Sequence, residues 1–125
     1  MGTQLKKISR YGMVGFYLFA GANHFINPEF YYLLIPDYLP FPKLINFASG
    51  LVEMALAVLL LFDRFKRWAA YGIIAMLICF IPSHVHFILI GSCITDGLCV
   101  PEWVGWIRLL LIHPLLMYWA YTNRN

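Results

Sequence analysis

Residues 44–62 read LINFASGLVEMALAVLLLF. Within that run Glu53 is the one ionisable residue. A helix needs roughly 20 apolar residues, at about 1.5 Å rise each, to cross a hydrocarbon layer about 30 Å thick. Leu44 to Phe62 therefore reads as a transmembrane helix, and the rest of the chain arranges itself around it. Downstream, Asp63 to Arg67 is a short basic loop, so the next apolar run, Trp68 to Ile90, returns antiparallel and carries Pro82. A polar loop, Gly91 to Glu102, leads into a last span from Trp103 to Tyr121. Upstream, Ile26 to Lys43 holds Pro28, Pro36, Pro40 and Pro42 together with Glu29, Asp37 and Lys43. Prolines at that density forbid a long helix. Glu29 to Ile35 is expected as a short helix lying in the membrane interface, with Tyr31, Tyr32 and Tyr38 at headgroup level. The first span, Ile8 to Phe25, is rich in small residues such as Gly12, Gly15, Ala20, Gly21 and Ala22. Lys6, Lys7 and Arg10 before that run imitate a secretory leader, but the apolar pattern continues as one helix to Phe25, so a retained span is expected.

Composition agrees with this reading. Of 125 residues 62% are hydrophobic and 12% charged, about half the charged share of a soluble domain. That supply cannot cover a water-facing surface, so lipid is the expected surrounding and nucleic acid is not an expected partner. The length leaves no room for a separate soluble domain. The predicted fold is all-α: a single integral membrane domain over residues 1–125, a four-helix bundle with a short interfacial segment between its first two helices. Lysine and arginine in short loops set orientation. Lys6, Lys7, Arg10, Arg64, Lys66, Arg67 and Arg124 fall on one side, Lys43 on the other, and Arg108 inside a span. Both termini are therefore expected in the cytoplasm, with Cys93 and Cys99 on the outer side. In an oxidising compartment those two would form a disulfide worth about 2 kcal/mol by loop entropy; two free thiols are the other reading. Cys79 reads as a small core residue.

Ionisable side chains within lipid cost about 2.5 to 3.5 kcal/mol each at mid-membrane, so they persist when paired or used. Here they are His24, Glu53, His84, His86, Arg108 and His113. Glu53 lies near the midplane and His113 near the middle of the last span. The other four fall in the outer half, so a polar pocket opening outward is expected. Ser49, Glu53 and Ala57 share a stripe with Gly50 beside it, which turns Glu53 into the bundle. Pro82 frees a backbone group and can swing Ser83, His84 and His86 inward. Arg108 and His113 stand about 140° apart on an ideal helix, so both reach one point only if Pro114 bends the chain. Three readings compete. In the first, Glu53 pairs with Arg108 and the histidines tie helices together. In the second, Glu53, Arg108, His24, His84, His86 and His113 line a pocket for a small amphipathic molecule such as a quinone or a lipid. In the third, His24, His84, His86 and Glu53 bind a metal, although His-x-His spacing splays two rings to opposite faces of a helix.

The run Asn23-His24-Phe25, Asn27-Pro28, Tyr31, Pro36, Tyr38-Leu39-Pro40 and Pro42 resembles the first-loop signature of DoxX-like membrane proteins. Ser49-Gly50-x-x-Glu53, Pro82-Ser83-His84-Val85-His86, Trp106-x-Arg108-Leu109 and Trp119-Ala120 are similar to later motifs of that family, in the same order. His84 stands where that family has asparagine, and Leu110 and Ile112 stand where it has proline and glutamine. The resemblance implies a four-helix protein of a bacterial-type inner membrane. It also implies an accessory or ligand-binding role in membrane redox or envelope-stress chemistry, with quinone as a possible ligand. The alternative is a structural subunit that packs against other membrane subunits or its own copies. Nothing in the chain forms a nucleophile–base pair, a phosphate-cradling loop or a redox Cys-x-x-Cys, so its motifs show no self-sufficient catalytic constellation and leave open whether it is an enzyme.

Overall fold

Prolines and loops divide the chain where the sequence places them. The computed structural model describes residues 2–94 and 99–125, and the described residues are helical wherever they form regular structure. Helix α1 spans Thr3–Ile26 and ends at Asn27, just before Pro28. Pro28 then opens α2, Pro28–Tyr32, at a first-turn position where its missing N–H is no loss. Helix α3 spans Pro42–Leu59, again with proline in its first turn. Helix α4, Lys66–Cys79, passes into α5, Ile81–Leu89, with a break at Phe80. Pro82 lacks the N–H that would continue the ladder, and Ser83 and His84 both turn their N–H groups to the Phe80 carbonyl instead. The expected third span thus consists of two helices. The last stretch is likewise composite: α6, Glu102–Ile107, then a π-helical turn, Arg108–Ile112, then α7, His113–Thr122.

Three helical stretches among the described residues are long and apolar enough to cross a membrane: Pro42–Leu59, Lys66–Leu89 and Glu102–Thr122. The first helix equals them in length, but Arg10, Asn23, His24 and several glycines and tyrosines dilute its apolar content. The most extensive packing is that of α1 on α3; α4 packs on α7 and on α3, and α2 lies against α3 and α1.

Two interiors result. The larger is formed by Met13, Val14 and Tyr17 of α1, Ala57 of α3 and Leu60 just after it, Ala69, Ile73, Met76 and Leu77 of α4, and Ala120 of α7. Beyond it, the chain ends and the 60–66 turn are tied together. Arg10 Nη1 donates to Asp63 Oδ1 at 2.8 Å, Trp119 Nε1 donates to Ser9 Oγ at 2.9 Å, and Asn123 Nδ2 reaches the same oxygen at 3.2 Å. Asp63 is exposed, and its carboxyl is held below the usual range first by the Arg10 hydrogen bond and then by the charges of Arg10 and Lys66. The second interior, at the opposite end, joins Leu34, Phe87 and Ile94, with Phe30, Tyr31 and Val100 against them. The outer surface is strongly apolar: Phe19, Ile26, Leu89 and Trp68 are each more than 70% exposed.

Candidate functional site

Between the two interiors lies a cavity of about 370 Å³, walled by the end of α1, the segment 30–39, the start of α3, the α4–α5 break and Arg108. Each wall has a local cause. Helices α1 and α3 cross with their backbones nearly in contact. A methyl on Gly50 would lie 2.7 Å from His24 Cβ and 3.1 Å from the Gly21 carbonyl oxygen, and one on Gly21 would lie 3.0 Å from the Gly50 oxygen. Two glycines thus set His24 directly against α3.

There the His24 ring is fully engaged. Asn46 Nδ2 donates to the His24 carbonyl at 2.9 Å, which fixes the amide so that Oδ1 faces the ring and accepts from Nδ1–H at 2.7 Å. The other ring nitrogen, Nε2, lies 3.1 Å from Glu53 Oε2, with both side chains buried. Because Nδ1 already carries a hydrogen, that contact needs one further proton, on imidazole or carboxyl. Oε2 has no partner in hydrogen-bond geometry, so the two side chains meet by close approach and not through a linear hydrogen bond. Tyr31 stacks on the same ring, centroids 3.8 Å apart at 14°, and its hydroxyl accepts from Asn23 Nδ2 at 2.8 Å. Burial pushes the Tyr31 phenol up, offset in part by that bond.

These facts correct one expectation: Glu53 pairs with His24, not with Arg108. Tyr31 is folded over the site, and Leu34, Ile35 and Pro36 behind it are buried. Proline-rich segment 28–40 is therefore a cover for the cavity; Tyr38 alone of the three tyrosines is largely exposed.

The opposite wall depends on two prolines. The break at Pro82 turns Ser83 and His84 into the cavity, while His86 does not line it. At Pro114 the helix accommodates the missing N–H by widening: His113 N–H bonds to the Arg108 carbonyl, five residues back. A π-helical turn places residues five apart on one face. The widened turn brings Arg108 and His113 closer in phase than the 140° of an ideal helix. His113 is buried, donates from Nε2–H to the Leu77 carbonyl, and meets the His84 ring edge-on at 4.7 Å. Arg108 sits over the Phe87 ring at 5.0 Å. Its Nη1 is buried without a partner.

Of the six expected site residues, His24, His84 and Arg108 line the cavity, Glu53 and His113 buttress it from behind, and His86 stands apart. Cys79, expected in the core, is exposed and lines the cavity. Cys93 and Cys99 are joined in a disulfide. Among the described residues no group of three or more His, Cys, Asp or Glu side chains could hold a metal ion. Asn46 was not anticipated. Its signal was present, because Asn46, Gly50, Glu53 and Ala57 form a spacing of four, three and four, the buried stripe of α3.

Comparison with curated proteins and with solved structures gives no match. A family described as a domain of unknown function, DUF8561, matches residues 13–124, from the core of α1 to the last residues of the chain. That range takes in the whole cavity and both of its walls, and the chain belongs to the DUF8561 family.

Proposed function

We propose that this protein is a four-span membrane protein that holds an amphipathic ligand, of the quinone or lipid class, in the cavity beneath segment 28–40. The observation that carries the proposal is Arg108: a guanidinium with a buried, unpartnered N–H in a cavity otherwise walled by side chains such as Phe30, Leu34, Ile45 and Phe80. A buried donor left unmade is unfavourable by about 1–3 kcal/mol, more when charged. A ligand with an acceptor at one end and hydrocarbon at the other satisfies both the donor and the wall.

Membrane integration is supported by the apolar outer surface. Helix α1 serves as the fourth span because, past Lys6 and Lys7 at its start, Arg10, Tyr17 and His24 are buried while Ile8, Phe16 and Phe19 are exposed. Lys6, Lys7, Arg10 and Lys66 gather around the end that holds both termini, which favours that end in the cytoplasm of a bacterial-type inner membrane. The cavity then opens toward the outer leaflet. The motif order that resembles DoxX-like proteins supports an accessory role in membrane redox or envelope-stress chemistry.

Native mass spectrometry of protein extracted in mild detergent tests the reading. A bound amphiphile is expected in the wild type and lost in Arg108→Leu, with helicity unchanged by circular dichroism. A ligand-free wild type that instead carries only protein subunits would favour the structural-subunit role.

A further inference from the structure

We infer that the cavity is built for an amphiphile with a single acyl chain and an anionic head, the carboxylate of a long-chain fatty acid being the simplest case; this rests on the ligand-binding reading of the same cavity. The argument is one of charge. Arg108 is the one permanently charged residue among the side chains that line the cavity, and no carboxyl group lines it. The acidic groups of the described residues are committed or remote. Glu53 is paired with His24, Asp63 with Arg10 and Lys66, and Glu29, Asp37 and Glu102 are exposed. Among the described residues Arg108 therefore has no counter-ion, and its contact with the face of Phe87 leaves Nη1 unbonded.

A neutral carbonyl head would occupy that N–H and leave the charge uncompensated in a low-dielectric wall. A carboxylate answers both, because guanidinium and carboxylate match as planar, two-pronged partners. His84 strengthens the choice. It lines the same wall, and as neutral imidazole it offers one ring N–H as a second donor to the head. The other titratable groups facing the cavity are His24, whose Nδ1 is bonded to Asn46 and whose Nε2 lies against Glu53, Tyr31, whose hydroxyl already accepts from Asn23, and Cys79. None of these supplies a negative charge that would repel an anion. Beside the polar Asn46, Ser49 and Ser83, the side chains of Phe30, Leu34, Leu39, Ile45 and Phe80 give a stretch of hydrocarbon suited to one chain. A volume of about 370 Å³ lies at the small end of the usual range for ligand pockets.

Cys79 provides the readout, since it is the free thiol and lies on the cavity wall while Cys93 and Cys99 are bonded to each other. The rate of maleimide labelling at Cys79 is measured on the purified full chain in non-ionic detergent. The probes are oleate, methyl oleate and a short-chain ubiquinone. Oleate is expected to protect Cys79 at concentrations about tenfold or more below those needed for methyl oleate, the ratio given by one charge-assisted contact. In Arg108→Leu the two are expected to protect equally. Equal protection of the wild type by acid and ester overturns the anion inference and leaves the cavity reading intact. Protection by the quinone but not by oleate does the same. No protection by any of the three overturns both. Should Arg108→Leu fail to fold, the acid–ester comparison on the wild type decides alone.

Discussion

The two ends of this molecule are made from the same long helices, yet one is sealed and the other hollow. At the sealed end, α1, α4 and α7 close on Tyr17, Ile73 and Ala120, and the polar groups beyond them are bonded to one another: Arg10 to Asp63, and Trp119 and Asn123 to Ser9. At the hollow end every helix is interrupted. Helix α1 stops at Asn27, the 28–40 segment intervenes before α3, Pro82 breaks the α4–α5 rod and a π-helical turn widens the last one. The difference teaches that the interruptions make the cavity. Each frees or redirects polar groups just where continuous helices would have met side chain to side chain. Regular helices make the platform, and their defects make the site.

The comparison can be broken most severely at the joint between the ends. Glu53→Ala strips the buried His24 ring of its partner and is expected to reduce stability by about 3–5 kcal/mol, as loss of one member of a buried pair does. Glu53→Gln, which keeps a polar partner at Nε2, is expected to recover part of that; thermal unfolding in detergent reads both. Next comes Gly50→Ala. Its methyl has no space against His24 and the Gly21 carbonyl, so α1 and α3 separate, with a loss of about 1–3 kcal/mol. A variant as stable as the wild type would show that the close crossing is dispensable. Ser9→Ala removes the acceptor shared by Trp119 and Asn123 and is expected to lower stability by about 1 kcal/mol, without changing ligand retention at the other end. Any loss of bound ligand in Ser9→Ala would show that the ends are not independent.

The smallest effect concerns Asp63. Its folded-state carboxyl titrates below the ordinary value, so it contributes stability above the unfolded value of about 3.9, and that contribution disappears as pH falls through the lowered folded value. Because Asp63 is solvent-exposed the contribution is small. Asp63→Asn is expected to flatten the acid limb of a melting-temperature profile slightly; an unchanged limb would leave the Arg10–Asp63 contact without consequence for folding.

Much of the platform could be read from residues alone. The run from Leu44 to Phe62 announces its helix, the prolines at 28 and 42 mark where helices begin, and the stripe through Glu53 turns it inward. The cavity was legible only in outline. Helical phase brings Glu53 to the interior but does not choose between His24 and Arg108, since that depends on how closely two glycines let α1 and α3 approach. Tyr31 suits a headgroup region by type and is folded inward by Asn23 and His24, partners from the preceding helix. Arg108 and His113 are incompatible on an ideal helix, and nothing in a one-dimensional pattern distinguishes a bend at Pro114 from a widened turn. Cys79 shows the same limit in reverse: a small apolar type in mid-span, exposed because the helix breaks immediately after it.

The widened turn before Pro114 also sets a phase. Relative to an uninterrupted α-helix it accommodates one additional residue, equivalent to about 100° of rotation, between α6 and α7. Ahead of the turn, α6 packs on α5, with Gly105 close to Ile88 and Ser92; after it, α7 packs on α4 and Trp119 is bonded to Ser9 of α1. Deleting a single residue within 108–112 would leave both halves helical yet dock one of them on the wrong azimuth, so the register of this stretch is a matter of counting as much as of chemistry.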